Sequence, residues 1–301
     1  MIISVSRRTD IPAFYSDWFY NRIKEGYVDV LNPFNSKQVN RIRLTPETVE
    51  CFVFWTKNPK PLIARLDEIK DYNYYFQFTL NSYGIDLEPN VPIKSSELID
   101  TFITLSKKIG KEKVIWRYDP ILLTNKYNID YHIKYFEKLA EKLHDYTEKC
   151  VISFLDLYKK TERNLRGINL LNLTPNEMDK IAEEFSKICK KYNLELATCC
   201  EEIDLNKYGI KHNKCIDDEL IKRITGKEVE NNKRDKQREA CGCIKCIDIG
   251  AYNTCLHNCR YCYASYSNEQ INENIVKHNV DSSLLIGEIT EDMKIYEKKG
   301  I

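Results

Sequence analysis

Three cysteines near the C-terminus constrain this chain more than any other feature. Cys255, Cys259 and Cys262 follow one another at C-x3-C-x2-C spacing, and Tyr261 directly precedes the third. Three thiolates in one short loop can bind three irons of a cubane [4Fe–4S] cluster and leave the fourth iron without a protein ligand. An open iron can bind a reactant, whereas a metal site with four protein ligands is usually structural or transfers electrons. The spacing therefore predicts an iron–sulfur site at which chemistry can occur.

A zinc site is the alternative interpretation of the same loop, with His257 or a distant cysteine as the fourth ligand. Tetrahedral zinc sites usually contain C-x2-C pairs, and often two of them. The loop offers one such pair, Cys259 and Cys262. The imidazole of His257 is expected to be exposed, with hydrogen bonding to the cluster as its alternative role. Iron–sulfur is therefore the favoured interpretation of the loop.

Cysteine usage agrees with a metal-binding protein in a reducing compartment. The chain has 301 residues and twelve cysteines, six of which lie between Cys241 and Cys262. Cytoplasmic proteins rarely form disulfides, so a cysteine cluster there favours metal binding. A cytoplasmic location is expected because the N-terminal apolar run precedes Arg7 and Arg8, the reverse of the order in a signal peptide. The buried structural thiols are predicted to be Cys51, Cys150 and Cys189.

Short runs rich in β-branched and aromatic residues alternate with amphipathic helical segments along the chain. Repeated strand–helix order predicts parallel strands joined by right-handed crossovers. With an eighth strand just before the three-cysteine loop, we expect a (βα)8 barrel or an opened version of one, in a single domain over residues 1–301. The predicted strands are 2–6, 27–31, 51–56, 74–80, 114–119, 150–156, 194–199 and 246–253, and the main predicted helices are 12–26, 95–110, 129–146 and 174–193.

Polar residues lie where the predicted strands end. In (βα)8 barrels the chemistry occurs at the C-terminal ends of the strands. The three-cysteine loop follows the eighth strand, so it should lie at the same edge, beside the first strand. The other residues expected at this edge are Arg7, Arg8, Thr9, Asp10, Lys57, Asn58, Asn81, Arg117, Asp119, Asp156, Cys199 and Glu201.

Several segments resemble a bacterial family named only as a domain of unknown function, DUF1848. The cysteine-rich region 241–264, with its three-cysteine loop, is also similar to the signature of the radical SAM superfamily, and the middle of the chain resembles the spore photoproduct lyase branch. The segments that carry the resemblance are SVSRRTDIPAFY at 4–15, FWTKNP at 54–59, FQFTLN at 76–81, VIWRYDPI at 114–121 and CGCIKCIDIGAYNTCLHNCRYCYA at 241–264.

The resemblance implies a cytoplasmic iron–sulfur protein in which S-adenosylmethionine chelates the open iron. One electron then cleaves the sulfonium to a 5′-deoxyadenosyl radical. In typical members the three-cysteine loop follows the first barrel strand, whereas here it lies near the C-terminus, as in a circularly permuted barrel. The usual glycine-rich segment after the second strand has no counterpart in this sequence.

A site for S-adenosylmethionine needs a base for its carboxylate and polar groups for its ribose. Tyr261 is expected to pack against the cluster or the adenine, as the resemblance implies. Structural pairing is the alternative for the two bases, a salt bridge at the edge for Lys57 and an ion pair with Asp119 for Arg117. The candidates for the carboxylate are Lys57 and Arg117, and those for the ribose are Asn81, Thr79 and Asn58.

A second group of cysteines predicts an auxiliary metal site. Cys241 and Cys243 form a C-x-C pair before the eighth strand, Cys199 ends the seventh strand, and Cys215 lies in the segment KHNKCIDDE. Four thiolates from neighbouring loops would bind an auxiliary [4Fe–4S] cluster. A four-cysteine zinc site and unrelated free thiols are the alternatives. The cysteines that could replace a neighbour in this set are Cys200 and Cys246.

The function expected from the loop and the resemblance is that of a radical SAM enzyme. A reductant such as flavodoxin or ferredoxin would supply the electron, and the radical would abstract hydrogen from an unknown substrate. One alternative is a non-catalytic iron–sulfur or zinc protein that transfers electrons or acts as a scaffold. Another is a lyase that repairs nucleic acid, which the net charge of +1 disfavours because duplex binding normally brings a basic surface. No apolar stretch approaches the roughly 20 residues that a membrane-spanning helix needs.

Overall fold

A computed structural model describes residues 1–157, 159–230, 233–235 and 241–298, except for the side chains of residues 36, 159 and 160. No helix in these ranges is long and apolar enough to cross a membrane. The strands are β1 Ile2–Val5, β2 Tyr27–Asn32, β3 Asn35–Arg43, β4 Cys51–Thr56, β5 Tyr74–Thr79, β6 Val114–Ile121, β7 Leu123–Thr124, β8 Lys149–Phe154, β9 Leu170–Leu171, β10 Glu195–Thr198, β11 Lys211–His212, β12 Ile247–Asp248 and β13 Lys294–Lys298.

The helices lie mostly between these strands. The single helix predicted over 12–26 is two helices, because the backbone at Tyr15 leaves the helical region. The helices are α1 Ile11–Phe14, α2 Ser16–Glu25, α3 Lys60–Ile63, α4 Ile99–Ile109, α5 Ile129–Leu143, α6 Lys159–Asn164, α7 Pro175–Lys191, α8 Asp218–Thr225 and α9 Asn268–Val276.

The main sheet has eight strands in the order β11-β10-β8-β6-β5-β4-β1-β12, and every neighbouring pair is parallel. The predicted α/β fold with parallel strands is therefore confirmed. The closed barrel is not, because β11 and β12 are the two edges of an open sheet. Two small sheets accompany it, β13-β3-β2 and β7-β9.

The strand predicted over 27–31 forms, but its assignment to the main sheet is wrong. β2 pairs antiparallel with β3 directly after a tight connection, so the two make a hairpin instead of a crossover. The eighth strand of the main sheet is instead β11, a two-residue strand that pairs with β10. So short a strand has too few residues to show a periodic pattern.

Both faces of the main sheet are buried. Along β4, Phe52 and Phe54 face the large aromatic core under the helices, and the alternate residues Cys51 and Val53 face a second apolar cluster. On the helix side the Phe136 ring of α5 stacks on the Phe185 ring of α7 with their centroids 3.7 Å apart. Because both faces of these strands are buried, polar and apolar residues do not alternate along them. Their sequences are therefore continuous apolar runs.

The chain between β11 and β12 explains how the second face is buried without barrel closure. Ile216, Leu220 and Ile221, at the start of this segment, pack in one cluster with Val53 and Tyr75 of the sheet. A closed barrel fills its interior with its own strand side chains. Here the segment between β11 and β12 packs against this face of the sheet. The face is therefore buried although the two edge strands do not pair.

Asp248 holds β12 beside β1. Its Oδ2 accepts hydrogen bonds from Ser4 Oγ at 2.8 Å and Arg7 N at 2.7 Å, and its Oδ1 accepts from Ser6 Oγ at 2.6 Å. Gly250 allows this close approach, because a Cβ there would lie 2.1 Å from Ser6 Oγ. The predicted eighth strand beside the first is thus confirmed, and it brings the three-cysteine loop to the carboxyl edge next to the loop after β1.

His132 of α5 is a fully buried imidazole held in its neutral form. Its Nε2 lies 2.9 Å from the carbonyl oxygen of Leu122, and its Nδ1 lies 2.8 Å from Tyr118 Oη. The carbonyl can only accept, so Nε2 carries the proton and Nδ1 accepts from the tyrosine hydroxyl. Burial lowers the pKa of His132 to about 4.

This burial predicts an acid-dependent loss of stability. The unfolded chain binds a proton at the ordinary histidine pKa near 6.5, whereas the folded chain does so only near pH 4. The free energy of unfolding should therefore fall by about 3 kcal/mol between pH 6.5 and pH 4. Urea unfolding of the native protein and of His132→Gln across this range measures the effect. The variant should be less stable at pH 7 and should lack this part of the pH dependence.

His144, the residue directly after α5, offers the matched control. Its side chain is 34% exposed, so His144→Gln should lower the free energy of unfolding at pH 7 less than His132→Gln does. An unchanged pH dependence in His132→Gln would contradict the assignment of the neutral form to this residue.

Candidate functional site

Asp10 joins three of the loops at the carboxyl edge of the main sheet. It follows β1 and caps α1, with its Oδ1 accepting from Ala13 N at 3.0 Å. Its Oδ2 accepts from the backbone N–H of Lys57, after β4, at 2.7 Å. The same oxygen lies 2.8 Å from His257 Nε2 in the three-cysteine loop. One buried carboxylate therefore fixes the relative positions of these three loops.

The three-cysteine loop has a defined backbone. Asn258 adopts the left-handed conformation at φ 55°, which asparagine tolerates better than most residues, and so turns the chain between the first two cysteines. Cys262 N donates to Cys259 O at 3.0 Å, which makes a tight turn between the last two. At the base, Asn253 N donates to Ala264 O at 3.0 Å and closes the loop.

Two neighbouring segments clamp this loop. Arg260 N donates to Leu87 O at 2.9 Å, in the segment after β5. The Arg260 guanidinium donates to the carbonyl oxygens of Asn164 and Arg166 at 2.8 and 3.0 Å, near the end of α6. The clamp makes the position of the thiols a property of the fold.

The three thiols lie within electrostatic range of one another. Burial raises the pKa of Cys259 to about 12 although the charge of Lys57 opposes it, and the nearby Cys262 contributes to the rise. Burial also raises the pKa of Cys255, with contributions from Asp10 and from the other two thiols. Without a bound metal ion, Cys255 and Cys259 are neutral thiols. A bound metal ion would deprotonate them.

The prediction of an exposed His257 is wrong, because the residue is only 2% exposed. Its Nε2 pairs with the Asp10 carboxylate, and its ring packs edge-on against Phe14 with the ring centroids 4.6 Å apart. Its Nδ1 is buried and has no hydrogen-bond partner within the described residues. His257 lies inward because its imidazole pairs with the buried carboxylate of Asp10, which is far from it in the chain.

Lys57, Asn81 and Tyr261 meet at one place beside Cys259. Lys57 Nζ lies 2.8 Å from Glu88 Oε1 and 3.0 Å from the Tyr261 hydroxyl. Asn81 Nδ2 lies 3.1 Å from the same hydroxyl, which also donates to Glu88. Three of the residues predicted to bind the cofactor are thus in contact through the Tyr261 hydroxyl.

Glu88 is the centre of this group, and the sequence offered no sign of it. Its side chain is fully buried and lies between Lys57 and Lys94, with Lys94 Nζ 2.5 Å from its Oε2. Burial disfavours the carboxylate, but the charges of the two lysines outweigh it and lower the pKa of Glu88 to about 2. Glu88 and Lys94, which the sequence analysis missed, lie between the predicted strand 74–80 and the predicted helix 95–110.

Arg117, the other base predicted for the carboxylate of S-adenosylmethionine, lies with the other cysteine group instead. Its Nη1 donates to Cys215 Sγ at 3.0 Å and to Gln77 Oε1 at 3.2 Å, and its Nη2 pairs with Asp119. The carbonyl oxygen of Asp119 accepts from Asn81 Nδ2 at 2.8 Å. The 117–119 segment therefore connects the two cysteine groups through contiguous polar contacts.

The four cysteines predicted for an auxiliary site are brought together. Cys199 Sγ and Cys215 Sγ are 3.2 Å apart, and Cys243 Sγ accepts from the backbone N–H of Cys215 at 3.2 Å. The Cys241 and Cys243 thiols lie within electrostatic range of each other and of Cys215. We call these residues the four-thiol group. Cys246 lies outside it, because its thiol accepts from Arg7 Nη2 at 3.2 Å.

Neither cysteine group is a completed coordination sphere. In the described part of the chain, no three His, Cys, Asp or Glu side chains are arranged so that they could hold a metal ion as they stand. A cubane cluster does not require such convergence, since each thiolate binds a different iron. Thiols that contact one another as donors and acceptors must also turn slightly before they can surround an ion.

Buried polar atoms without partners are concentrated at this edge. Natively folded proteins satisfy almost all such atoms, so a local excess marks a place where a bound polar molecule would complete the hydrogen bonds. Among the described residues, the atoms at the edge that have no partner are Thr9 Oγ1, Trp55 Nε1, Asn81 Oδ1 and His257 Nδ1.

Glu201 adds a group that can exchange protons near neutral pH. Its Oε1 accepts from the backbone N–H of Phe154, the last residue of β8, at 2.8 Å. Burial, reinforced by the nearby charges of Asp156 and Asp119, raises the pKa of Glu201 to about 7 although the hydrogen bond opposes this rise. A carboxyl with this pKa at the edge of the sheet can serve as a proton acceptor or donor.

Removing the charge of Glu88 should be costly. Glu88→Gln leaves the ammonium groups of Lys57 and Lys94 next to each other without the carboxylate between them, so the free energy of unfolding should fall by about 3 kcal/mol or more. Urea unfolding at neutral pH measures it. Glu97→Gln is the matched control, since its exposed pair with Lys60 at 3.7 Å should be worth less than about 1 kcal/mol. Equal effects of the two substitutions would contradict the role given to Glu88.

Comparison with proteins of known structure or curated function carries no functional argument. No curated protein matches the chain. A structural match is the crystal structure of a protein assigned as an alpha-L-fucosidase from Bacteroides thetaiotaomicron, with 12% sequence identity and a TM-score of 0.27. The match covers 65% of this chain and 81% of that one.

The family comparison is decisive for membership. Residues 2–264 match the family described as Domain of unknown function (DUF1848), and this range contains both cysteine groups, Glu88 and all the strands of the main sheet. The chain therefore belongs to the DUF1848 family.

Proposed function

We propose that this protein is a radical SAM enzyme, in which Cys255, Cys259 and Cys262 bind a [4Fe–4S] cluster with one open iron. The observation that carries the proposal is the position of the three-cysteine loop. It lies at the carboxyl edge of an eight-stranded parallel sheet, clamped by its neighbours and adjacent to a buried polar group.

The order of the strands supports the comparison with a permuted barrel. Counted from β12, the main sheet runs β12-β1-β4-β5-β6-β8-β10-β11, so every later strand follows in chain order. β12 thus occupies the first position in space although it is the last in sequence. The three-cysteine loop follows the spatially first strand, which is where the resemblance expects the cluster loop.

The donor set fits an iron–sulfur cluster. Cysteine thiolates are the usual ligands of such clusters, and three of them leave one iron for another ligand. When bound, the cluster supplies one electron to S-adenosylmethionine, whose sulfonium carbon–sulfur bond breaks to give methionine and a 5′-deoxyadenosyl radical that abstracts hydrogen from a substrate.

The protein's own residues offer complementary charge for S-adenosylmethionine. Lys57 and Lys94 carry two positive charges against the one negative charge of Glu88, which leaves one positive charge beside Cys259. A carboxylate is the natural partner for that excess. The unpaired Asn81 Oδ1 and His257 Nδ1 at the same edge would supply further polar contacts.

Apolar side chains beneath the loop would exclude water from the site. Cys259 and Tyr261 are each 8% exposed and pack with Tyr83, Leu87 and Tyr127 in one buried cluster. A reactive radical needs such protection because water and bulk solutes would quench it. The roles of these residues are therefore positioning and exclusion of water.

The test is anaerobic reconstitution with iron and sulfide, followed by dithionite reduction and electron paramagnetic resonance with and without S-adenosylmethionine. We expect a [4Fe–4S]⁺ signal that shifts on addition of S-adenosylmethionine, together with formation of 5′-deoxyadenosine. A cluster whose signal does not change on addition of S-adenosylmethionine would instead indicate an electron-transfer or scaffold protein. Zinc in the three-cysteine loop would overturn the proposal.

Cys259→Ala should abolish 5′-deoxyadenosine formation, because the cluster loses one of its three ligands. Cys189→Ala is the matched control, since Cys189 is a buried thiol of α7 that is only 2% exposed and lies outside both cysteine groups. Both variants should keep the far-ultraviolet circular dichroism of the native protein. Undiminished product formation by folded Cys259→Ala would rule out the ligand assignment.

A further inference from the structure

The four-thiol group joins segments that flank opposite edges of the main sheet. Cys199 follows β10 and Cys215 follows β11, which lie at one edge. Cys241 and Cys243 precede β12, which is the other edge. Two of the four thiols, those of Cys215 and Cys243, are 3% and 2% exposed. These side chains therefore meet across the gap that keeps the sheet from closing.

Hydrogen-bond donors surround the thiols. Cys243 Sγ accepts from the backbone N–H groups of Cys215 and Ile216 at 3.2 and 3.4 Å. Cys215 Sγ accepts from Arg117 Nη1 at 3.0 Å and from Asn213 Nδ2 at 3.4 Å. Neutral thiols are weak acceptors, whereas metal-bound thiolates are stabilised by such donors. The surroundings are thus built for negatively charged sulfur.

The position of Cys215 is also fixed from the sheet. Its carbonyl oxygen accepts from Tyr75 Oη at 2.7 Å and from Gln77 Nε2 at 2.9 Å, both on β5. The backbone N–H of Ile244 donates to Ile216 O at 3.2 Å and ties the two segments together. The backbone of the group is therefore preorganised before any ion binds.

The spacing of the sulfurs suits one ion better than a cubane. Zinc binds thiolate at about 2.3 Å, so two sulfurs of a tetrahedral site lie about 3.8 Å apart. Cys199 Sγ and Cys215 Sγ are 3.2 Å apart, which small side-chain rotations would bring to that separation. In a cubane each thiolate binds a different iron, so its sulfurs lie well beyond van der Waals contact.

We propose that Cys199, Cys215, Cys241 and Cys243 bind one structural zinc ion, which fastens the segment between β11 and β12 across the open side of the sheet. The proposal chooses zinc where the sequence analysis favoured an auxiliary [4Fe–4S] cluster. It does not depend on the proposed radical SAM function, because the two groups share no cysteine.

The protein places one positive charge against the sulfurs of such a site. Zinc binds thiolates, so any remaining thiol protons pass to solvent, and four thiolates around one Zn²⁺ carry a net charge of −2. The Arg117 guanidinium contacts one of these sulfurs directly, and it also stacks over the Trp55 ring at 5.2 Å from the ring centroid. Arg117 is therefore a positioning residue for this site. Four protein ligands leave no coordination position of the zinc for a reactant, as in a structural site.

The experiment measures metals in the intact protein, purified without chelators from medium that contains both zinc and iron. We expect about one zinc per chain by mass spectrometry of metals, both in the native protein and in the triple variant Cys255→Ala, Cys259→Ala, Cys262→Ala. Cys215→Ser and Cys243→Ser should lose zinc, whereas Cys189→Ala and Cys246→Ala should keep it. Iron that persists in the triple variant in place of zinc would overturn the proposal.

Cobalt substitution tests the site where a ligand variant fails to fold. Native protein stripped of zinc and loaded with Co²⁺ should show intense sulfur-to-cobalt charge-transfer absorption and the visible bands of tetrahedral cobalt. A folded protein that binds neither zinc nor cobalt would overturn the proposal. The electron paramagnetic resonance and 5′-deoxyadenosine assays would still report separately on the three-cysteine loop, so failure of one proposal is distinguishable from failure of the other.

Discussion

The parallel pairing of β12 with β1 determines which residues can act together in this protein. It brings the three-cysteine loop, which itself contains little regular structure, to the carboxyl edge of the main sheet. The pairing depends on the Asp248 carboxylate, which accepts hydrogen bonds from Ser4, Ser6 and the backbone of Arg7. Once β12 is beside β1, Asp10 can reach both His257 and the backbone of Lys57, and the edge of the sheet is assembled.

The same edge holds an unusual concentration of buried charge. Burying a carboxylate is unfavourable unless cations compensate it, and Glu88 has two of them. A buried ion pair is weak evidence for a stabilising role, because hydrophobic residues of similar size often stabilise a fold equally well. The unpartnered atoms at this edge, Asn81 Oδ1 and His257 Nδ1, would gain hydrogen bonds from a bound polar molecule. The polar group and the three thiols are best understood as one site.

The open sheet and the four-thiol group are two aspects of one architecture. A closed barrel needs its first and last strands to pair, but here the segment after β11 fills the interior. Cys215 of that filling contacts Arg117 of β6, which pairs with Asp119. The carbonyl oxygen of Asp119 in turn accepts from Asn81 at the carboxyl edge. The segment that keeps the sheet open thus contacts the candidate active site. The packing of this segment therefore affects the geometry of the carboxyl edge.

The sequence by itself determined the parallel α/β fold, seven of the eight main strands and the candidate cysteines of both groups, because strand composition and cysteine spacing are local properties. It also placed Lys57, Asn81 and Tyr261 at one edge, since parallel strands end together. Only the tertiary structure decided that the sheet stays open, that β2 leaves it, that Glu88 and Lys94 complete the polar group, and that Arg117 belongs with Cys215. These outcomes depend on contacts between residues far apart in the chain, which no periodicity or motif records.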